Sequence, residues 1–283
     1  MKKNIKLICI DMDGTLLNSS HEVSEKNKQI LKKAHNKGIN IALTTGRIFV
    51  SARYYSDLIG INTPVIASNG AYIKNKYEDK AILEGALNKE DAIEIYKIIK
   101  KYNLNITFNS WDTLIREIEV PKTHAYYIMN KYLSEDKKIK FLITPEIIST
   151  INNFNKSILK GIVIEEKENK DNLWAAKKEL KERFKDKLHV VSSGNDNFEI
   201  MDGSISKGSA VLHLAKTLNI DKEEIMCIGD SENDISMLKV AGFSVAMGNG
   251  NDLVKEIADF ITDTNNNDGV AKAIEKYVLL DSN

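Results

Sequence analysis

Cysteine is almost missing from this chain: Cys9 and Cys227 are the only two among 283 residues. They lie far apart and both sit inside apolar, strand-like runs. A disulfide framework is therefore not expected, and reduced core thiols are. An excess of charge is missing too. Forty basic residues balance forty acidic ones, which removes the electrostatic case for nucleic acid or an anionic membrane as a partner. No apolar run approaches the length of a membrane span. The apolar stretch after Lys2 and Lys3 is too short for a signal peptide and runs straight into Asp11. Internal repeats and low-complexity segments are absent, and the abundance of Lys and Asn reads as compositional bias. A soluble cytoplasmic protein fits these absences best; a monomer or small homo-oligomer is expected. The length suits one large domain or two ordinary ones.

What is present concentrates near the N-terminus. Residues Ile5–Leu17 read IKLICIDMDGTLL. An apolar run ends abruptly in Asp11 and Asp13, and two close carboxylates are costly to hold together without a cation. The pattern points to an Mg²⁺ site with one aspartate left for further chemistry.

Short β-branched runs alternate with helical patterns, the signature of a parallel α/β sheet. Strands are expected at Lys6–Ile10, Ile39–Leu43, Pro64–Ala67, Glu224–Ile228, Phe243–Ala246 and Phe260–Ile261. Helices are expected over about Ser24–Lys37 and Ile48–Ile59, stopped by Gly38 and Gly60. The middle of the chain breaks this alternation. Asn88–Tyr102 and Asp171–Phe184 read as amphipathic helices, with strand-like pieces at Asn105–Phe108, Thr113–Glu119, Leu159–Ile164 and His189–Ser192. The reading is a core of residues 1–83 and 196–283 with an inserted α+β domain, residues 84–195. Linkers near Glu84–Asn88 and Asn195–Phe198 would hinge the insertion.

Four polar clusters follow the expected core strands: Asp11 and Asp13; Thr44-Thr45-Gly46-Arg47; Ser68-Asn69-Gly70; and Gly229-Asp230-Ser231-Glu232-Asn233-Asp234. In an open parallel sheet these ends share one edge, where ligands bind. Asp11 is a candidate nucleophile able to form an aspartyl-phosphate. Asp11 and Asp230 can supply the one or two carboxylates that Mg²⁺ takes. Asp13 stands close enough to serve as general acid and then general base. Gly14 permits a tight turn that aims amides at a phosphate. Thr45 offers a hydroxyl, and Lys207 in Ser206-Lys207-Gly208 a point charge, for a metaphosphate-like transition state.

Taken in order, Asp11–Leu17, Thr45-Gly46-Arg47, Asn69-Gly70, Lys207-Gly208 and GDSENDISML (Gly229–Leu238) resemble the motifs of the haloacid dehalogenase-like (HAD) phosphatases. Ala241–Asn249 (AGFSVAMGN) and Asn265–Ala271 (NNNDGVA) resemble the Cof-type subfamily with a type IIB cap, and the insertion falls where that subfamily places its cap. The resemblance implies a Rossmann-like α/β core with an inserted cap. It implies that Asp11 is nucleophile and metal ligand, and that Asp13 is acid/base and ligates the metal through its backbone carbonyl. Thr45 and Lys207 would bind the phosphoryl group, and Asp230 would be the second metal carboxylate. Asn233 and Asp234 would complete the acidic loop, with Asp234 serving the metal or orienting Lys207. Gly14, Gly46, Arg47 and Asn69 would face the substrate.

Each site residue also has a plainer reading. Arg47 suits a surface ion pair, Asn69 an Asn-Gly turn and Asp234 a helix N-terminal acid. The five histidines show no metal-ligand spacing and read as structural. Trp111, His124, Tyr126 and Tyr127 in the insertion read as packing residues first and substrate contacts second. The expected activity is Mg²⁺-dependent hydrolysis of phosphomonoesters of small metabolites, sugar phosphates or phosphorylated cofactors. A phosphomutase of the phosphomannomutase type and a non-catalytic phosphometabolite-binding module are the alternatives.

Overall fold

The computed structural model describes residues 3–165 and 169–280. The first half of the core contributes strands β1 (Leu7–Asp11), β2 (Asn40–Thr44), β3 (Pro64–Ala67), β4 (Tyr72–Asn75) and β5 (Leu83–Glu84). The middle of the chain forms β6 (Ile106–Asn109), β7 (Thr113–Arg116), β8 (Lys140–Ile143), β9 (Lys160–Ile164), β10 (Leu188–Val191) and β11 (Asn197–Asp202). The chain then returns through β12 (Ile225–Gly229), β13 (Phe243–Ala246) and β14 (Phe260–Ile261).

These strands form two sheets. The larger has the order β14-β13-β12-β1-β2-β3-β4-β5 and the smaller β10-β11-β9-β6-β7-β8. From β14 to β3 the larger sheet is parallel; β4 and β5 then add antiparallel. The parallel part explains why β1 is apolar at every position up to its last. Ile8 and Ile10 join the apolar cluster on one face, Leu7 and Cys9 the cluster on the other, as a strand covered on both sides requires. Cys9 and Cys227 are register partners on β1 and β12, both buried and both free thiols.

The expected helices form with their expected stops. Ser24 caps the helix Glu25–Asn36 by accepting from the Asn27 amide, and Gly60 closes Phe49–Ile59 in the left-handed region at φ 76°. Asn88 caps Lys89–Lys101.

The second sheet packs against its own apolar cluster, including Ile95, Ile99, Phe108, Leu173, Leu180 and Phe198. The border expected at residues 195 and 196 needs correction. β11 lies beyond it, yet β11 pairs with both β9 and β10 inside the smaller sheet. The chain crosses back to the core after Asp202, so a linker at Asn195–Phe198 is replaced by one at residues 203–206. Glu199, an acid inside the apolar run Phe198–Met201, masks this strand in the sequence. β4, β5 and β8 were also unexpected; each is short and lies at or next to a sheet edge.

Candidate active site

β1, β2, β3 and β12 bring their C-terminal ends to one edge of the larger sheet. The buried Asp11 is the last residue of β1, and its carboxylate accepts from Lys207 Nζ at 2.5 Å. Lys207 opens the helix Lys207–Thr217, where Ser206 caps by accepting from the Ser209 amide. Gly208 lets this helix press against its neighbour, since a Cβ there would meet the Ser236 carbonyl at 2.3 Å. Lys207 is fully buried and also donates to Asp234 Oδ1 at 2.6 Å.

Asp230 follows β12 and accepts from the Thr15 hydroxyl at 2.6 Å. Gly14, at φ 80°, makes room for it, because a Cβ would stand 2.5 Å from Asp230 Oδ2. Carboxylate oxygens of Asp11, Asp230 and Asp234 all lie within 4.8 Å of one another, a grouping that can hold a metal ion. Its electrostatics are those of a site short of positive charge. Burial and the neighbouring Asp234 raise Asp11 well above the ordinary carboxylate range, against the pull of Lys207. The same two causes push Asp230 up to about 7. Burial would depress Lys207, but Asp11 and Asp234 outweigh it and raise the ammonium.

The three acids are not equivalent. Asp234 Oδ2 accepts from the amides of Asp230 and Ser231 at 2.9 and 3.0 Å, while Oδ1 takes Lys207. Its oxygens are engaged by the protein, so Asp234 holds the loop and the lysine in place. Asp11 and Asp230 keep the freer lone pairs. The Asp13 carboxylate stands outside this cluster. Arg47 grips it with two bonds, Nε to Oδ2 at 2.8 Å and Nη2 to Oδ1 at 2.7 Å. Burial acts to raise Asp13, but the bonds and charge of Arg47 win and hold it below the usual carboxylate range. The acid that Arg47 pairs with is thus the acid/base candidate itself.

Asn69 also combines two readings. It sits in the left-handed region at φ 55° and shapes the turn. It donates as well to Glu199 at 3.0 Å and accepts from Asn233 at 3.1 Å. Thr45 accepts from the Arg47 amide at 3.1 Å.

Over this edge lies the smaller sheet. Between the two is a cavity of about 350 Å³ lined by Asp11, Asp13, Thr45, Gly46, Arg47 and Asn233 from the core. From the insertion come Thr107, Asn109, Leu114, Arg116, His124, Tyr126, Lys160, Ile162 and Glu199, among others. Lys160 and Glu199 form a buried ion pair, and Lys160 also bonds the Gly46 carbonyl. With Asn69 on Glu199, this network ties the insertion to the core loops. Sequence reasoning missed both residues. The available signal was a lysine and an acid inside otherwise apolar strands. The aromatic group divides: His124 and Tyr126 line the cavity, whereas Trp111 stacks on Tyr72 and Tyr127 on Phe141. The structural reading of His124 is therefore incomplete.

Residues 8–274 match the family of haloacid dehalogenase-like hydrolases, and the chain belongs to that family. It is 31% identical to the 5-amino-6-(5-phospho-D-ribitylamino)uracil phosphatase YcsE of Bacillus subtilis, over 98% of this chain and 97% of the relative. A haloacid dehalogenase-like hydrolase from B. subtilis superposes with a TM-score of 0.83 at 29% identity, covering 96% and 99% of the two chains. The subclass IIB sugar phosphatase BT4131 shares the fold, with a TM-score of 0.76 at 23% identity over 96% and 98%. The fold is thus the HAD α/β core carrying an inserted type IIB cap.

Proposed function

We propose that this protein is a phosphatase that hydrolyses phosphomonoesters of small metabolites, with Mg²⁺ and through an aspartyl-phosphate on Asp11. The observation that carries the reading is the meeting of Asp11, Asp230 and Lys207 at the strand ends, with Asp11 lining a cavity that the cap overlies. The naming of the Bacillus relative as a phosphatase supports the reaction class.

The donor set suits a hard divalent cation: oxygen ligands only, with the raised Asp11 and Asp230 marking uncompensated negative charge. Asp11 and Asp230 would hold the ion, joined by the backbone of Asp13. When bound, Mg²⁺ would supply positive charge against the phosphoryl oxygens. The residues do the rest. A carboxylate oxygen of Asp11 attacks phosphorus and the ester P–O bond breaks. Asp13 delivers its proton to the departing alkoxide. In the second half Asp13 takes a proton from water as that water attacks phosphorus, and the Asp11–phosphorus bond breaks. Lys207 and Thr45 steady the phosphoryl oxygens throughout.

Arg47 fits this cycle as a partner that must let go. Its grip keeps Asp13 ionised, the form needed for the second half. Protonated Asp13, needed for the first, requires that the arriving substrate draw Arg47 away. Phosphate release from a metabolite panel, with and without Mg²⁺ and beside Asp11→Asn, tests the proposal. Turnover by Asp11→Asn at a near-normal rate would sink it. Transfer between two positions of one sugar without net phosphate release would indicate the mutase instead.

A further inference from the structure

Among the described residues, the cationic groups around the active-site cavity have partners, with one exception. Arg47 holds Asp13, Lys160 holds Glu199, and Lys207 holds Asp11 and Asp234. Arg116, at the end of β7 in the cap, lines the same cavity. Among the described residues no carboxylate pairs with it, and its Nε is buried without an acceptor. The cavity wall holds one other such atom, Oδ1 of Asn109 on the neighbouring strand β6. A half-buried guanidinium facing a cavity without a counter-charge is costly, and so is a buried acceptor without a donor. Two orphans on adjacent cap strands, one seeking an anion and one a donor, describe the far end of a ligand.

The surroundings agree. Burial lowers Arg116 with no carboxylate to offset it. Burial first, then Arg116 and Arg47, lower His124 as well, so His124 adds no competing charge. His124 Nδ1 accepts from the Tyr126 amide at 3.2 Å, which puts the neutral ring's proton on Nε2 as a further donor. Leu114 and Ile162 line the cavity beside these groups.

We infer that Arg116 is a specificity-determining residue, and that the preferred substrates are phosphomonoesters carrying a second acidic group, a carboxylate or a second phosphoryl, on a hydroxylated chain whose hydroxyl meets Asn109. The inference rests on the phosphatase reading for the identity of the first phosphoryl group. A guanidinium suits either anion because its planar fork donates two parallel bonds.

Binding to the Asp11→Asn full-length protein with Mg²⁺, measured by calorimetry, tests the inference without requiring turnover. The probes are a ladder of phosphorylated aldonic acids (3-phosphoglycerate, 4-phosphoerythronate and 6-phosphogluconate) with their neutral polyol twins (glycerol 3-phosphate, erythritol 4-phosphate and sorbitol 6-phosphate). Polyol bisphosphates of matching length form the third arm. At the best chain length the acid should bind about tenfold to a hundredfold tighter than its neutral twin. Arg116→Gln should erase that ratio, and Arg116→Lys should restore part of it. Preference for the aldonates identifies the second group as a carboxylate; preference for the bisphosphates identifies it as a phosphoryl. Equal affinity for acids and neutral twins, no binding of any probe, or a ratio unchanged in Arg116→Gln would overturn the inference. Wild-type protein that releases phosphate from none of these probes, while the Arg116-dependent ratio persists, would instead count against the phosphatase reading alone.

Discussion

The two walls of the cavity are built by opposite rules. On the core side the charged site groups are bonded to other side chains, with an excess of negative charge left on Asp11 and Asp230: Lys207 bridges Asp11 and Asp234, Thr15 bonds Asp230, and Arg47 grips Asp13. On the cap side Lys160 and Glu199 answer each other, but Arg116 Nε and Asn109 Oδ1 are left over. A preorganised, cross-bonded set of charged groups suits a reaction that is the same for every substrate. Unsatisfied groups suit the recognition of something that comes and goes. The core wall states what is done, and the cap wall states to what.

Several substitutions can break this division. Asp11→Asn should give the largest effect, a loss of at least about a thousandfold in kcat, with an unchanged circular dichroism spectrum. Lys207→Met should come next, with kcat down about a hundredfold or more. It also leaves Asp11 and Asp234 buried against each other. Lys160→Met strands Glu199 in the cap. It should cost about 3–5 kcal/mol in unfolding free energy and act on KM more than on kcat. Steady-state kinetics on the two lysine variants is decisive for the comparison. Equal losses of kcat would erase the distinction between the walls.

A smaller effect follows from the crowded acids. Asp230 stands at about 7 in the folded protein against 3.8 for an unperturbed aspartate. The folded state therefore holds this proton more tightly than the unfolded chain. Without metal, stability should fall as pH rises from about 4 to about 7. Mg²⁺ favours the ionised carboxylates and should offset that loss, by about 2.7 kcal/mol at a hundredfold excess over Kd. Thermal unfolding should show a larger Mg²⁺-induced rise in Tm at about pH 7.5 than at about pH 5. An equal rise at both would mean that the cation binds elsewhere. Smallest is the effect of Arg47→Gln on pH dependence. Removing the guanidinium leaves burial to dominate Asp13 and raises its pKa. The basic limb of the kcat/KM profile, set by loss of the proton that Asp13 must deliver in the first half, should move to higher pH.

The same division governs how much could be read from the sequence. Asp11, Asp13 and Asp230 could be placed from the sequence because polar groups that follow apolar strands have one place to go, the shared edge of a parallel sheet; Lys207, which opens a helix, joined them through the order of the motifs. Arg116 could not be so placed. In Thr113–Glu119 an alternating strand offers two faces, and nothing local says which one a cap turns toward the core. Its role exists only once the smaller sheet docks over the larger one. Asp202 marks a similar limit. The second sheet ends there, and not near residue 195: β11 pairs with β9 and β10, and Glu199 within it finds its counter-charge in Lys160. That partner stands 39 residues earlier in the chain, beyond the reach of local pattern.

The central claim is that Asp11 carries the phosphoryl group between the two half-reactions. It is tested most directly by rapid acid quench of wild-type protein turning over a phosphomonoester with Mg²⁺, followed by peptide mass spectrometry. The account predicts one phosphoryl group on the peptide containing Asp11 during turnover, and none on that peptide from Asp11→Asn. Steady phosphate release with that peptide unmodified at every quench time would contradict it.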